Sequence, residues 1–549
     1  MDNITSVLFA AINSRYIHSN LAFLYLDKLT GDLPCRIINK DWSINIPKKQ
    51  VLREICRQNP QIIAFSVYIW NGEYIKSLCS DLRQLLPGSL IVMGGPEASA
   101  RPHDFLADGL SHAVIVGEGE NTWPQFLKAY LDGQQKPFLP GLLWAGQEDF
   151  LSADYCNMDD LPFPYSPQDL AAFSDKIVYY ESSRGCPYSC SFCASGQDKL
   201  RFRSLDKVRE DLRFLAAYRR GQVKFVDRTF NADKKRALEI CKFLLDLYHP
   251  ELNWHFELSP FLLDDDLIEL LNQAPVGYFQ LEIGVQSLCP KVLQAVRRYG
   301  SWEKAERNIK KILAIDNCHV HLDLIAGLPL ETLDGVKEAF ARLHKLYPHH
   351  LQLGFLKVLP GSLLAQEAAE YSIAFSKYAP YQVLFTKSMS GEDLFYLEEA
   401  AWAVDAFYNC GRFRQTLFYA ANNWPEGALA FYAALAELKE KRFDGSLNMQ
   451  KRAELLGELL LQGEEKDLYF DLLRLDWLLY GKGQPLPYFL RSKNDKKENA
   501  EFFYQFSFRP DGLVEYKKNP SSMSFDYSHL LGVSCRAGIK ISLATKVNL

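Results

Sequence analysis

The 549-residue sequence lacks the features that mark membrane, secreted and nucleic-acid-binding proteins. No apolar run approaches the roughly 20 residues that a membrane-spanning helix needs. The first residues, from Met1 to Thr5, lack the basic and apolar regions of a signal peptide. The formal net charge of −5 gives no reason to expect nucleic acid as a partner. We therefore expect a cytoplasmic protein that has no membrane partner.

The first part of the chain alternates short apolar runs with helical patterns. Over residues 1–140 this alternation predicts an α/β domain with a parallel, doubly wound, Rossmann-like sheet. A segment rich in proline, glycine and aspartate follows, and we predict a linker over residues 141–175. The expected strands of the first sheet are Ser6–Ala10, Ile62–Val67, Leu90–Gly95 and Ala113–Val116.

A second alternating series occupies residues 176–385. Six β/α units of this size predict a (β/α)6-type partial TIM barrel. Helical patterns dominate afterwards, so we predict a mostly helical C-terminal domain of unknown role over residues 386–549. The expected barrel strands are Ile177–Glu181, Val223–Asp227, Asn253–Leu258, Tyr278–Ile283, His319–Ile325 and Leu351–Phe355.

Three of the twelve cysteines lie together, whereas the other nine are scattered singly, as expected of ordinary thiols in a reducing compartment. Cys186, Cys190 and Cys193 have the spacing C-x3-C-x2-C. Three thiolates on one loop can hold three irons of a cubane cluster and leave the fourth iron open. A structural zinc site would need a fourth ligand, and no second Cys or His pair lies close by. The spacing therefore predicts a [4Fe–4S] cluster with an open coordination position.

The segment from Ser183 to Cys193 resembles the signature loop of the radical S-adenosylmethionine superfamily. Phe192 stands just before the last cysteine, where that family usually carries an aromatic residue, and the loop follows the first strand of the second series. The resemblance implies that an electron from the cluster cleaves S-adenosylmethionine to a 5′-deoxyadenosyl radical. It also implies a reducing partner of the flavodoxin or ferredoxin type and an unknown small-molecule or macromolecular substrate.

Polar residues lie along or after the later strands, and barrel active sites collect at the carboxyl ends of strands. The resemblance implies contacts with the methionine moiety, the ribose, the nucleoside and the adenine of S-adenosylmethionine. For each polar residue among these, a salt bridge or a helix cap is the alternative interpretation. The residues that the resemblance assigns to S-adenosylmethionine are Phe192, Asp227, Glu257, Glu282, Gln286 and Ile325.

His319, His321 and Asp323 alternate on one face of the fifth barrel strand. A metal site is one interpretation of this pattern. Polar residues in a barrel mouth have many other uses, so the pattern by itself leaves the metal site open.

Glycines end two strands of the first series, where they let a backbone approach a large flat or phosphorylated ligand. The dinucleotide motif G-x-G-x-x-G is absent from the first βα turn. A doubly wound domain joined to a radical barrel resembles the cobalamin-binding class of the superfamily. The D-x-H-x-x-G motif of other cobalamin proteins is absent, and for His18 an ordinary loop histidine is the alternative to a cobalt contact. The residues that the resemblance places at cobalamin are Ser66, Val67, Gly94, Gly95, Glu118 and Gly119.

The leading hypothesis is a cobalamin-dependent radical methyltransferase that acts on an unactivated carbon. An alternative keeps both cofactors but changes the reaction to a radical oxidation, rearrangement or cyclisation. A more distant alternative is a non-catalytic iron–sulfur redox protein. A methylthiotransferase would carry a second cysteine triad in the first domain, where only Cys35, Cys56 and Cys79 occur, widely spaced.

Overall fold

The computed structural model describes residues 4–480 and 484–491 and three later strands, Phe502–Phe508, Val514–Pro520 and Ile541–Thr545. The chain forms two compact units. The first comprises Met1–Glu257, Lys357–Glu370 and Ala374–Val383, and the second comprises Leu258–Leu356, Tyr371–Ile373 and Leu384–Leu549. Among the described residues, no helix has the length and apolar character to cross a membrane.

The first unit begins with a six-stranded sheet in the order β2-β1-β3-β4-β5-β6. All neighbouring strands are parallel except β5 and β6, which are antiparallel. The strands are β1 Thr5–Asn13, β2 Cys35–Ser43, β3 Ile62–Ser66, β4 Leu90–Gly94, β5 Ala113–Ile115 and β6 Leu142–Trp144. The helices are α1 Leu21–Thr30, α2 Lys48–Gln58, α3 Gly72–Leu85, α4 Pro96–Ala100, α5 Pro102–Leu106, α6 Gly119–Leu131 and α7 Pro167–Ala172.

Apolar residues cover both faces of this sheet, which confirms the doubly wound prediction. In β1, Leu8 and Ile12 belong to one buried cluster, and Val7 and Phe9 belong to a second cluster. Successive side chains of a strand point to opposite faces, so a continuous apolar run gives a strand that is buried on both sides. After β1 the chain adds β2 on one side of β1 and then β3 on the other side. Open α/β sheets bind ligands beside the carboxyl ends of the strands where the strand order switches sides in this way.

Two strands of this sheet are missing from the sequence prediction. The strand β2 is an edge strand with the mixed sequence CRIINKDWS, so its alternation is weak. The strand β6 has only three residues and lies inside the predicted linker over residues 141–175, so the first sheet extends into that segment.

The first unit continues with three parallel strands of the second series, in which β10 pairs with both β7 and β11. A two-residue antiparallel ladder, β8 with β9, follows β7. The strands are β7 Val178–Tyr180, β8 Ser183–Arg184, β9 Arg201–Phe202, β10 Gly221–Phe225 and β11 Leu252–Leu258. The helices are α8 Leu205–Tyr218 and α9 Lys234–Asp246.

The second unit contains three more parallel strands, in which β13 pairs with both β12 and β14. The six predicted barrel strands are thus all present as parallel strands, as expected for a partial barrel. The strands are β12 Phe279–Gln286, β13 His319–Ala326 and β14 His350–Phe355. The helices are α10 Asp265–Asn272, α11 Pro290–Ala295, α12 Trp302–Ile315 and α13 Leu333–Leu346.

The described C-terminal part is mainly helical, as predicted. A short helix, α14 Leu363–Glu367, and two short strands, β15 Ala374–Phe375 and β16 Val383–Phe385, precede it. The helices are α15 Gly391–Ala403, α16 Arg414–Asn423, α17 Ala428–Arg442, α18 Met449–Leu460 and α19 Lys466–Tyr480. The strands β17 Phe502–Phe508, β18 Val514–Pro520 and β19 Ile541–Thr545 form an antiparallel sheet in the order β18-β17-β19.

Candidate functional site

The loop that carries the three cysteines is closed at its base by the ladder between β8 and β9. Ser183 pairs with Phe202 and Arg184 pairs with Arg201, so residues 185–200 form the loop between them. Gly185 has a φ of +87°, and a Cβ atom there would lie 2.4 Å from the carbonyl oxygen of Lys199. Only glycine fits this crossing, because any side chain would push the two ends of the loop apart.

The three cysteines of the motif lie on this loop, and none of them forms a disulfide with another described cysteine. Cys190 is 5% exposed, and Cys186 and Cys193 are half-buried. The amide of Cys193 donates to the carbonyl of Cys190 at 3.1 Å, and the Sγ of Cys186 lies 3.5 Å from the Oγ1 of Thr229. Burial raises the pKa of Cys193, and the neighbouring Cys186 adds to that rise. Three thiols on one short loop fit a [4Fe–4S] cluster that keeps one open iron, and metal binding would hold them as thiolates.

Asp227 contacts Ser182 and Ser183, the two residues that lead into this loop. Its carboxylate accepts hydrogen bonds from the amide of Ser182 at 2.9 Å and from the hydroxyls of Ser182 and Ser183 at 2.6 Å each. Burial raises the pKa of Asp227 to about 6, although these hydrogen bonds lower it. The side chain is 1% exposed. Asp227 therefore fixes the backbone that precedes the cysteines, and the predicted contact with S-adenosylmethionine stays a prediction.

Arg184, two residues before Cys186, joins the cysteine loop to the loop after β5 and to the first turn of α6. Its guanidinium lies 2.7 Å from Glu120 and 3.4 Å from Glu118, and it makes two hydrogen bonds with Glu181 at 2.8 and 2.9 Å. The side-chain exposure of these four residues lies between 10% and 19%. Burial opposes the charge of Arg184, but the carboxylates outweigh it and hold the pKa well above its usual value.

Glu118 is held by a second cation, Arg201, which also donates to the carbonyl of Cys156 at 2.7 Å. The amide of Cys156 donates to Glu118 at 2.8 Å. Burial raises the pKa of Glu118, but the hydrogen bond from Arg201 and the charge of Arg184 outweigh it and hold the pKa at about 2. Glu118 is therefore ionised and engaged by the protein itself.

The ends of β3 and β4 form one edge of the first sheet. The amide of Val67 donates to the carbonyl of Gly94 at 2.7 Å. Gly95 has a φ of +96°, and a Cβ atom there would lie 2.7 Å from the carbonyl oxygen of Val67. Four of the predicted cobalamin residues, Ser66, Val67, Gly94 and Gly95, thus lie together at this edge.

Two further features lie on the loops at this edge. After β5, the amide of Gly117 donates to the hydroxyl of Ser99 at 3.0 Å. Among the described residues, no atom lies within 4 Å of the position that a Cβ of Gly117 would take. After β3, the rings of Tyr68 and Trp70 stack at 4.4 Å, and Trp70 is 43% exposed. Open space beside glycine backbone and an aromatic pair with one exposed ring suit a large flat ligand.

His18 lies in the loop after β1, and its Nδ1 is 2.6 Å from the hydroxyl of Tyr179. Burial lowers the pKa of His18, and the charges of Arg15 and Lys224 lower it further. Glu257, which the resemblance assigns to the ribose, is ion-paired with Lys224 at 3.1 Å. Both residues therefore already have protein partners in the first unit.

The other residues predicted at S-adenosylmethionine lie in the second unit. Gln286 and Ile325 line one narrow pocket, together with Glu331. The register of β12 with β13 shifts between Gly284 and Gln286, and Gln286 has a φ of +72°. The structure therefore brings Gln286 and Ile325 together. Glu282 lies elsewhere, beside His321 and Asp323.

The ion-pair group of Arg184, Arg201, Glu120 and Glu181 was not predicted from the sequence. Its one visible signal is the adjacency of Arg184 to the cysteine motif. Glu181 lies three positions before Arg184, but Glu118 and Glu120 lie more than 60 positions away, in a Gly-Glu-Gly-Glu run that follows a strand. Sequence patterns do not pair such distant charges.

Three family models match the chain in succession. Residues 7–127 match the B12 binding domain, residues 180–343 match the radical SAM superfamily, and residues 369–531 match a protein family of unknown function, DUF4080. The matches follow the order of the predicted regions. The exact domain boundaries stay predictions.

The similar proteins include methyltransferases and a cyclase. A 2-(S-pantetheinyl)-carbapenam-3-carboxylate methyltransferase from Streptantibioticus cattleyicolor is 27% identical over 52% of this chain and 45% of its own length. An anaerobic magnesium-protoporphyrin IX monomethyl ester cyclase from Rubrivivax gelatinosus is 20% identical over 63% of each chain. The chain thus spans about half the length of the first relative and less than two thirds of the second.

Among solved structures, the cobalamin-dependent S-adenosylmethionine radical enzyme OxsB with aqua-cobalamin bound has a similar fold. The TM-score is 0.61 at 15% identity, and the match covers 87% of this chain and 80% of OxsB. At this identity the likeness extends to the fold alone. It nevertheless agrees with an α/β chain built from the two predicted sheet-bearing regions.

Proposed function

Because the chain belongs to the radical S-adenosylmethionine superfamily and carries an N-terminal B12-binding domain, we propose that it methylates an unactivated carbon of its substrate. The observation that carries the proposal is the ion-pair group of Arg184 with Glu118 and Glu120. It joins the start of the cysteine loop to the strand-end loop of the B12-binding domain. Two cofactor loops in direct contact suit a reaction that uses both cofactors.

Cys186, Cys190 and Cys193 are the ligands that we assign to the [4Fe–4S] cluster. When bound, the cluster supplies the electron that cleaves S-adenosylmethionine to a 5′-deoxyadenosyl radical, and cobalamin carries the methyl group. We assign the strand-end residues Ser66, Val67, Gly94, Gly95 and Gly119 to cobalamin, together with the backbone beside Glu118.

The protein's own contribution is to position these loops. Asp227 holds Ser182 and Ser183 by three hydrogen bonds, and Arg184 is fixed by buried carboxylates. The amide of Leu364 donates to the carbonyl of Ser191 at 2.8 Å, so a later segment also packs on the cysteine loop. Groups held by such secondary contacts keep a reactive site within a narrow range of geometry.

The reaction requires a reductant and a substrate. For the reductant we propose a flavodoxin- or ferredoxin-type protein. We propose that the protein itself lies in the cytoplasm, since no disulfide joins the described cysteines and thiols stay reduced there. The first relative is named as a methyltransferase of a carbapenam carboxylate. We therefore favour a carbon of a small molecule as the site of methylation.

A second candidate is a radical oxidation or cyclisation that uses the same two cofactors. The similarity to the anaerobic cyclase favours it, because that match covers more of this chain than the methyltransferase match does. The two candidates differ in their products. Methyl transfer releases S-adenosylhomocysteine alongside 5′-deoxyadenosine, whereas the second candidate releases no S-adenosylhomocysteine.

The first test is a cofactor measurement on the full chain. The protein would be purified without oxygen, reconstituted with iron, sulfide and hydroxocobalamin, and desalted before its visible spectrum is recorded. We expect corrin absorbance near one per chain above the broad cluster band. The triple variant C186A/C190A/C193A should lose the cluster band and keep the corrin, and the control C56A should keep both.

The outcomes separate the candidates. A cluster band without retained corrin contradicts the methylcobalamin proposal. Retained corrin with turnover of S-adenosylmethionine to 5′-deoxyadenosine, but without S-adenosylhomocysteine, favours the second candidate. A reduced, reconstituted protein that releases neither product would favour a non-catalytic iron–sulfur protein.

A further inference from the structure

The strands of the second unit carry a row of polar side chains on one face. In β12 and β13, residues alternate between fully buried and half-buried, and Glu282, His321 and Asp323 all belong to the half-buried set. In the parallel register, Glu282 lies opposite His321, and His321 lies opposite His350 of β14. The pairing therefore brings two carboxylates and two imidazoles to adjacent positions on three strands.

The geometry of three of these side chains is compact. The candidate ligand atoms of Glu282, His321 and Asp323 all lie within 4.8 Å of one another. The Nε2 of His321 and the Oδ1 of Asp323 are 2.8 Å apart, with side-chain exposures of 12% and 15%. Yet neither atom has a partner with hydrogen-bond geometry among the described residues. Buried polar atoms nearly always have such a partner, so this pair requires an explanation.

We propose that Glu282, His321 and Asp323 bind a divalent first-row transition metal ion. Two ligand atoms held about 2.0–2.2 Å from one ion at a right angle lie about 2.8–3.1 Å apart, which fits the separation of Nε2 and Oδ1. An ion between the two atoms would satisfy both lone pairs without a hydrogen bond. Mixed imidazole and carboxylate ligands suit ions such as Mn²⁺, Fe²⁺ and Zn²⁺.

A fourth side chain lies next to the proposed ligands. The rings of His350 and His321 are 4.0 Å apart between their centroids. Three protein ligands leave coordination positions open, and open positions take water or an oxygen atom of a substrate. A substrate that carries an oxygen atom could thus bind to the ion at the polar face of β12 and β13.

A second group of similar composition shows that closeness alone does not make a metal site. The ligand atoms of Glu118, Glu120 and Cys156 also lie within 4.8 Å of one another. Their carboxylates, however, are already neutralised by Arg184 and Arg201. Asp323 differs, because within the described ranges its ion pair is with an imidazole rather than with a lysine or an arginine.

The test measures metal binding and is independent of the proposed function. The reconstituted full chain would be treated with a chelator, desalted and titrated with Mn²⁺ alone, with the signal of free Mn²⁺ followed by electron paramagnetic resonance. Mn²⁺ prefers carboxylate and imidazole to the soft thiolates of the cluster loop. We expect one tight site per chain, at least tenfold weaker in H321Q and D323N and unchanged in the control H319Q.

The outcomes decide the proposal in each case. No tight Mn²⁺ site in the natural chain overturns it, and so does equal affinity in H321Q, D323N and H319Q. Circular dichroism would show whether each variant folds. If neither variant folds, nitrogen coupling to Mn²⁺ bound by the natural chain decides: coupling to a histidine nitrogen supports the site, and its absence overturns it.

Discussion

The substitution R184Q tests whether buried charges hold the cysteine loop against the B12-binding domain. The change removes the cation that contacts Glu120 at 2.7 Å, Glu181 at 2.8 Å and Glu118 at 3.4 Å. Glu118 keeps its contact with Arg201, so Glu120 and Glu181 are the carboxylates that lose their compensating charge. Removal of one partner from a buried ion pair costs about 3–5 kcal/mol, because the remaining charge stays buried without compensation. We expect the free energy of unfolding to fall by about that amount.

A matched control is R209Q. Arg209 also contacts two carboxylates, Asp206 at 3.2 Å and Glu239 at 2.8 Å, but these are 96% and 48% exposed. Exposed ion pairs contribute about 0–1 kcal/mol, so R209Q should lose little. The assay is anaerobic denaturant unfolding of the full reconstituted chain, followed by cluster absorbance. R184Q should also retain less cluster and less corrin after desalting, and R209Q should retain both.

Two results would refute the reasoning. A loss below about 1 kcal/mol in R184Q, equal to that of R209Q, would show that these charges do not stabilise the loop. The triple change R184Q/E120Q/E181Q removes the uncompensated carboxylates and should recover part of the lost stability. If it recovers none, the loss in R184Q comes from packing rather than from charge.

Two further predictions concern backbone conformation and pH. G95A should lower stability and corrin retention by more than G133A. Both glycines have positive φ, at +96° and +91°, but of the two only Gly95 would place a Cβ against backbone, 2.7 Å from the carbonyl oxygen of Val67. Equal losses in the two variants would contradict this argument. Burial raises the pKa of Asp476 to about 7, although amides of residues 415 and 416 donate to it. Because this folded-state pKa lies above the unfolded value, stability should fall as pH rises from about 4 to about 7, by on the order of 4 kcal/mol relative to D476N. Parallel pH profiles of unfolding for the two proteins would contradict this.

The sequence predicts the strands that are buried on both faces, because a short apolar run between polar helices has few other interpretations. The strand β2 escapes prediction because it is a mixed edge strand, and β6 because three residues give no measurable alternation. The strand β12 begins one residue later than expected and continues to Gln286, where a bulge changes its register. Such irregularities depend on the neighbouring strand and leave no local pattern.

Some residues of the candidate site have a local sequence pattern, and others are brought together only by the fold. The sequence singles out Cys186, Cys190 and Cys193 because a cluster needs its ligands on one short loop, and their role as ligands stays a prediction. The sequence does not single out the partners of Glu118, since Arg184 and Arg201 lie 66 and 83 positions away and no local rule links them. For the same reason, the alternation of His321 and Asp323 along β13 does not by itself decide whether these residues bind a metal. Glu282 joins these two residues only through strand pairing.

The contacts around the cysteine loop indicate what the fold contributes to the chemistry. Ser182 and Ser183 are held from below by Asp227, and Arg184 is held by carboxylates from the B12-binding domain. These three consecutive residues therefore have fixed partners in two parts of the first unit, shortly before Cys186, the first cysteine that we assign to the cluster. A flexible loop could bind a cluster but would not hold it at a constant position beside a second cofactor. The loss of either set of contacts should therefore alter cofactor retention before it alters the fold of the sheets.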